Sequence, residues 1–288
     1  PISGMVVGEL LVLGLKSGSI EVWKLHNGEL VKCLNQVHGG CVWSLNLGPD
    51  GKTVASASAD KTVKFFEIKS DHRLKHIKTL QMDEECLAVS ISPDDRFISV
   101  ALLDMTIKVF HRDSLRFHLS LYGHKLPAVC LAYTADSQRL LSAGPDRSLR
   151  VCSLQFGDCR RTVQSHSEAV IALQLIPGTS AQFWTASRAG DLRRWDADGA
   201  SGLQRIQAIE AHHGEVLAIA VGEHSVVSVG KDQAIRLFVQ GDDPLFPQEE
   251  EENEHDRMID QGLVETAEKA TAELDKTSTA TVRAMKAG

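Results

Sequence analysis

The feature that most constrains this chain is a repeat. Six segments share one order: a polar residue, two more, a branched apolar residue, a polar one, an apolar one and a large one. They read SGSIEVW, DKTVKFF, DMTIKVF, DRSLRVC, AGDLRRW and DQAIRLF, and they end at residues 23, 66, 110, 152, 195 and 238. Consecutive copies therefore stand 42 to 44 residues apart. Upstream of each of the last five lies a second apolar run: CVWSLNL, CLAVSIS, AVCLAYT, VIALQLI and VLAIAVG. Between the two runs come turn signals, with GPDGK (48–52) and SPDD (92–95) the clearest. Each unit reads as several strands of about five residues joined by tight turns.

A four-stranded unit repeating every 40 to 45 residues or so is a blade of a WD-repeat β-propeller. Burial on both faces, between neighbouring blades, explains runs that are apolar without strict alternation. The fold class is thus all-β, a WD-repeat β-propeller with about six blades visible of an expected seven. The propeller is assigned to residues 1–247, an acidic linker to 248–261 and a helical segment to 262–288. In the last of these, Leu263, Ala267, Ala270 and Leu274 repeat at helical spacing, and Glu265 with Lys269 forms an i, i+4 pair. The first blade reads as starting near LLVLGL, with PISGMVVGE too short for a full unit before it. The missing blade is expected from sequence upstream.

The same period carries a recurring polar set. His38, Ser56 and Asp60 return as His124, Ser142 and Asp146, and again as His212, Ser228 and Asp232. These are the residue types of a serine hydrolase, and a hydrolase using one such set is a rival reading. One enzyme does not need three copies, and no G-x-S-x-G elbow surrounds any of the serines. A ring of blades does need a polar pin in each turn, satisfied at every member. The Trp that often completes such a pin is Phe66, Cys152 and Phe238 in these sets. A fourth blade keeps His166, Thr185 and Trp195 but has Ala189 where Asp is expected. The blade ending at Phe110 retains only Asp104, with Met82 and Val100 at the other places, and the first retains only Trp23.

Six cysteines without a C-x-x-C pair, mostly in apolar strand-like text, read as reduced thiols. Twelve histidines without metal-ligand spacing give no metal site, and no cofactor is expected. No apolar run is long enough to span a bilayer. Residues 248–260 hold seven acids and one arginine, so most of the formal charge of −7 falls there and the body is near neutral. That balance does not fit a non-selective nucleic-acid binder. Lys64, Lys108, Arg150, Arg193 and Arg236 share one strand position, where long stems cover apolar surface. Arg160 with Arg161, and Arg188 with Arg193 and Arg194, are solvated turn residues or a contact for RNA or an acidic partner.

Particular strings go further than the period. VALLDMTIKVFHRDSLRFHLSLYGHKLP (100–127), LQFGDCRRTVQSH (154–166), RRWDAD (193–198), AIEAHHGEVLAIAV and EEEENEHDRMID are not generic repeat text. Together they resemble the second propeller of the Utp-twelve (Dip-two) type of WD-repeat subunit of the small-subunit processome, with LYGHKLP (121–127) and FGDC (156–159) the most specific marks. RAG at 188–190 departs from the family's KD-type turn. The resemblance implies a nucleolar, non-catalytic scaffold whose partners are other WD-repeat subunits and the pre-rRNA particle with the U-three snoRNP. It implies no membrane and no small-molecule substrate. The rival within binding modules is an unrelated WD-repeat adaptor, such as a ubiquitin-ligase substrate receptor.

Overall fold

The computed structural model describes residues 2–198 and 203–239. The expected acidic linker (248–261) and helical segment (262–288) lie outside the described residues. Within them the chain is all strand and turn; no helix is present, hence none long and apolar enough to cross a membrane.

The strands follow the period. The first sheet is β1 (Ser3–Val7), β2 (Leu10–Gly14), β3 (Ile20–Lys24) and β4 (Leu30–Leu34). The second is β5 (Val42–Leu47), β6 (Thr53–Ser58), β7 (Thr62–Ile68) and β8 (Leu74–Gln81). The third is β9 (Cys86–Ile91), β10 (Phe97–Leu102), β11 (Ile107–His111) and β12 (Phe117–Leu121). The fourth is β13 (Cys130–Tyr133), β14 (Arg139–Ala143), β15 (Ser148–Ser153) and β16 (Cys159–Gln164). The fifth is β17 (Val170–Leu175), β18 (Gln182–Ser187), β19 (Asp191–Asp196) and β20 (Gln204–Glu210). The sixth, among the described residues, is β21 (Val216–Val221), β22 (Ser225–Gly230) and β23 (Ile235–Val239). Every sheet is an antiparallel meander in chain order, and the first strands of successive sheets touch in sequence from β1 to β21. The result is a six-bladed β-propeller arrangement.

Local chemistry sets the turns. In GPDGK, Asp50 Oδ1 accepts the N–H groups of Lys52 (2.9 Å) and Thr53 (2.8 Å), while Gly51 takes φ 64°. Asp136 repeats the device in the fourth blade, accepting from Gln138 N–H at 3.0 Å. The core then forms between blades. Ala55, Val63 and Phe65 of the second sheet pack on Val89, Ile91 and Ile98 of the third. Leu149 and Val151 of the fourth meet Leu173, Phe183 and Trp195 of the fifth. Each buried Val, Leu, Ile or Phe among them contributes about 1.5–3 kcal/mol.

Two expectations need correction. The first blade, expected to start near LLVLGL, begins earlier: SGMVV forms its inner strand β1, so the blade is complete. Burial alternates along β1, but the exposed positions carry Gly4 and Val6 rather than polar residues, so the sequence shows no clear alternation. The six cysteines are also not all free, since Cys152 and Cys159 are disulfide-bonded. Their C-x6-C spacing carries no signal, but the FGDC turn folds β16 back so that the two residues stand opposite each other. Cys33, Cys41, Cys86 and Cys130 remain thiols. Burial pushes the thiols of Cys86 and Cys130 up to about 12.

The end sheets differ from the middle ones. Ile235 and Leu237 occupy the places of Val63 and Phe65, yet they are 74% and 62% exposed. That face of the sixth blade has no neighbour among the described residues, and no extensive contact joins β21 to β1 there.

Candidate functional site

A buried imidazole needs partners for both ring nitrogens, and the repeat brings them from separate strands. His38 Nε2 lies 2.7 Å from Ser56 Oγ, and its Nδ1 lies 3.0 Å from both Asp60 Oδ2 and Thr62 Oγ1. His124 repeats this with Ser142 (2.8 Å) and Asp146 (2.9 Å), and Ser148 stands 3.2 Å from its Nδ1. His212 does so with Ser228 (2.8 Å) and Asp232 (2.9 Å). The carboxylates also accept from loop amides, Gly39 N–H at 2.9 Å and Lys125 N–H at 3.0 Å. Each pin thus ties the loop entering a blade to the turn between that blade's second and third strands.

Burial holds His38 and His124 below the usual imidazole range, against the pull of Asp60 and Asp146. A neutral ring whose Nδ1–H donates to the carboxylate leaves Nε2 to accept the hydroxyl proton. Burial pushes Asp60 up, but hydrogen bonds from Thr62 and Gly39 and the nearby His38 outweigh it and the carboxyl ends below its usual range. Asp146 behaves alike, with His124, Lys125 and Ser148 as the donors.

The order Ser–His–Asp is that of a hydrolase triad, but the hydroxyls are in the wrong place for one. Ser56, Ser142, Ser228 and Thr185 are all buried at 1% exposure or less. A nucleophile must reach an external carbonyl, and these face the interior of a sheet stack.

The fifth blade supplies a residue that the repeat alignment misses. With Ala189 in the turn, His166 Nδ1 bonds to Asp191 Oδ2 at 2.9 Å and Nε2 meets Thr185 Oγ1 at 2.7 Å. Trp195 Nε1–H donates to Thr185 Oγ1 at 2.9 Å, completing the set. Asp191 stands two positions beyond the expected place, where the other blades put Thr62 and Ser148. Those hydroxyls already reach the ring nitrogen, so a carboxylate there reaches it as well. The Ser187 hydroxyl also donates to Asp191, and Asp191 ends well below the usual carboxylate range: burial pushes it up, while His166, Ser187 and Arg193 overcome that. The signal was present in AGDLRRW as an acid at the start of a strand.

Four rungs of the basic ladder are engaged too. Lys64 Nζ donates to Val37 O at 2.5 Å, Arg193 Nη1 to Ser165 O at 2.6 Å, and Arg150 to Gly123 O. Each acceptor is the carbonyl just before a pin histidine, so the cation caps the same loop from the side. In the third blade, where that histidine is missing, Lys108 Nζ pairs with Asp83 Oδ2 at 2.7 Å. Of the arginine clusters, Arg188 Nε pairs with Glu215 Oε1 at 3.0 Å and Arg194 Nη2 donates to Gln182 Oε1 at 2.7 Å. Arg161 is exposed on β16; the side chain of Arg160 lies outside the description.

The first and third blades carry no histidine pin. Ser17 bonds to Ser19 at 3.2 Å, and among the described residues Asp104 Oδ1 accepts from Thr106 alone, through N–H at 3.0 Å and Oγ1 at 2.6 Å. Met82 and Val100 fill the histidine and serine places within the apolar cluster. A buried Ser99–Tyr133 hydroxyl bond ties the third blade to the fourth.

Six pinned or packed blades of this length fix the architecture, and the family follows from comparison. The family model described as the WDR3 second beta-propeller domain matches residues 3–245. The chain belongs to that family. A Saccharomyces cerevisiae protein, U3 small nucleolar RNA-associated protein 12, is 39% identical over 138 residues, 43% of this chain and 15% of that protein. The Dictyostelium discoideum WD repeat-containing protein 3 homolog is 44% identical over 131 residues, 42% of this chain and 14% of its own. Human WD repeat-containing protein 3 is 42% identical over 126 residues, 41% of this chain and 13% of its own. The aligned stretches thus span about a seventh of these relatives. A chain of the mitotic checkpoint complex crystal structure superposes with TM-score 0.71 at 18% identity, covering 82% of this chain and 72% of that one, a likeness of fold alone.

Proposed function

We propose that this chain is a propeller of a non-catalytic scaffold in ribosome biogenesis, a small-subunit processome subunit supporting pre-rRNA processing with the U3 small nucleolar ribonucleoprotein in the nucleolus. The single observation that carries this is the family match across residues 3–245, joined to relatives whose names include a U3 small nucleolar RNA-associated protein. The physics is consistent with a scaffold: polar groups that resemble reaction machinery are buried and satisfied, so they hold surface turns in place. The partners are other WD-repeat subunits of the same particle, and the exposed Arg161, with Arg160 beside it in sequence, is a candidate contact for RNA or an acidic partner. The uncovered apolar face at Ile235 and Leu237 is a surface on which a further blade packs in the complete ring.

The test is isolation of the tagged full-length protein from nuclear extract, followed by sedimentation and RNA detection. Co-migration with U3 RNA and unprocessed pre-rRNA is expected. Migration as a free protein with neither RNA ends this reading. Charge reversal at Arg160 and Arg161 should leave the melting temperature unchanged but lower particle incorporation.

A further inference from the structure

Six copies of one turn allow a departure to be recognised against its siblings. In the turn after each second strand, the first position holds Lys16, Ala59, Pro145, Arg188 or Lys231, and Leu103 in the third blade. The third position is left-handed throughout: Gly18, Lys61, Arg147, Gly190 and Gln233 take φ between 62° and 98°. The third blade puts Met105 there, at φ 68°. An L side chain is disfavoured in that region, and an apolar one gains nothing from solvent. Yet Leu103 and Met105 are 45% and 42% exposed.

The surroundings extend the patch. Leu103 N–H donates to Glu85 O at 3.0 Å, which sets the turn beside the start of β9. Leu126, in the loop that follows the His124 pin, is 46% exposed. At the starts of the inner strands of the two neighbouring blades, Trp43 and Val129 are 41% and 38% exposed. These loops and turns all lie at the pinned end of the blades.

Charge decides what kind of partner fits. Asp83 and Glu84 are neutralised by Lys108 (2.7 Å) and Lys61 (3.7 Å). Glu85 and Asp104 form no ion pair among the described residues; Asp104 stands between Leu103 and Met105, and the Glu85 carbonyl accepts the Leu103 N–H. Two unneutralised carboxylates beside an apolar surface repel phosphate and favour a cation. We propose that the pinned end of the third blade, centred on Leu103 and Met105, docks a segment of another protein that presents aliphatic side chains beside a lysine or arginine. The loss of the histidine pin and the gain of exposed apolar side chains in one turn are then one change, from holding the blade to holding a partner. This rests on the chain being an assembly scaffold.

Hydroxyl-radical footprinting of the full-length protein, free and in the native particle, tests this. Met105 oxidation should fall in the particle and stay low after RNase treatment. Met105 equally reactive in both states overturns the proposal, and so does protection that RNase abolishes, which assigns the surface to RNA. Absence of the protein from the particle defeats the functional reading first, and this inference with it. Two variants separate docking from folding. Met105→Gly suits the left-handed backbone, so its melting temperature should hold or rise while incorporation falls. Leu103→Arg should weaken association by about tenfold; incorporation equal to wild type for both variants overturns the proposal.

Discussion

The third and fourth blades have the same strand order, nearly the same length and opposite ways of holding a turn. The fourth fastens its turn through His124, Ser142 and Asp146. The third places Met82 and Val100 at the first two positions, both buried, and among the described residues leaves Asp104 bonded only to nearby Thr106. Both blades pack, so the pin is not what makes a blade. It restricts the turn to one geometry, whereas apolar packing stabilises the sheet without dictating what the turn presents. That difference leaves the third blade's turn open to carry Leu103 and Met105.

The comparison can be stressed where the pin is most complete. Trp195 is buried between two blades and donates to Thr185, so Trp195→Ala should cost about 3–5 kcal/mol in denaturant unfolding. A loss below about 1 kcal/mol would mean that the fifth blade does not depend on its pin or its packing. Converting the third blade to the other strategy is the next largest effect. Met82→His puts an imidazole into an apolar cluster with no serine opposite, at a cost of about 2–3 kcal/mol. Adding Val100→Ser should recover part of that, and a double-mutant cycle with no coupling would show that the two places do not form a pin.

Removing the carboxylate separates the blades more gently. Asp146→Ala should destabilise by about 1–3 kcal/mol, because His124 and the Lys125 amide lose a shared acceptor. Asp104→Ala should stay within about 0.5 kcal/mol. Asp191→Ala should fall with Asp146→Ala, although the repeat alignment gives it no role. Equal melting-point losses at Asp104 and Asp146 would break the distinction.

The smallest effect is on pH. His38 and His124 have folded-state pKa values below the ordinary 6.5, so the unfolded chain takes up protons first as pH falls. Their contribution is complete above that value and declines below it. Asp60 and Asp146 lie below 3.8 in the fold, so their contribution is present above 3.8 and is lost as pH falls through their folded values. Unfolding followed against pH should show a gentle decline beginning near 6.5 and a second, lower one. In His124→Gln the first decline should shrink, and an unchanged slope would contradict the neutral buried ring.

Most of the architecture was legible in the sequence. A period of 42 to 44 residues and Asp-rich turns are local signals, and blades two to six follow them closely. The polar sets at His38, His124 and His212 were legible because the serine stands four residues before the aspartate in each and the histidine 20 to 22 before it. Asp191 was missed for the complementary reason: it enters the pin from the next strand position, and only the spatial coincidence with Thr62 and Ser148 reveals it. The inner strand at Ser3–Val7 escaped because Gly4 and Val6 occupy its exposed face and blur the alternation, and the Cys152–Cys159 bond because a register, not a spacing, brings the sulfurs together.

By itself, then, the sequence determined the repeating four-stranded unit, the turn chemistry and the family. Each depends on residues close along the chain or on their order. Only the tertiary structure decided which cations cap the histidine loops, which of two acids completes the fifth pin, and which apolar residues stay uncovered. Those outcomes depend on side chains about 20 to 45 residues apart meeting across strands and blades. The physical reason is that a hydrogen bond or a buried face is a property of the pair that meets, and a linear pattern specifies only one partner at a time.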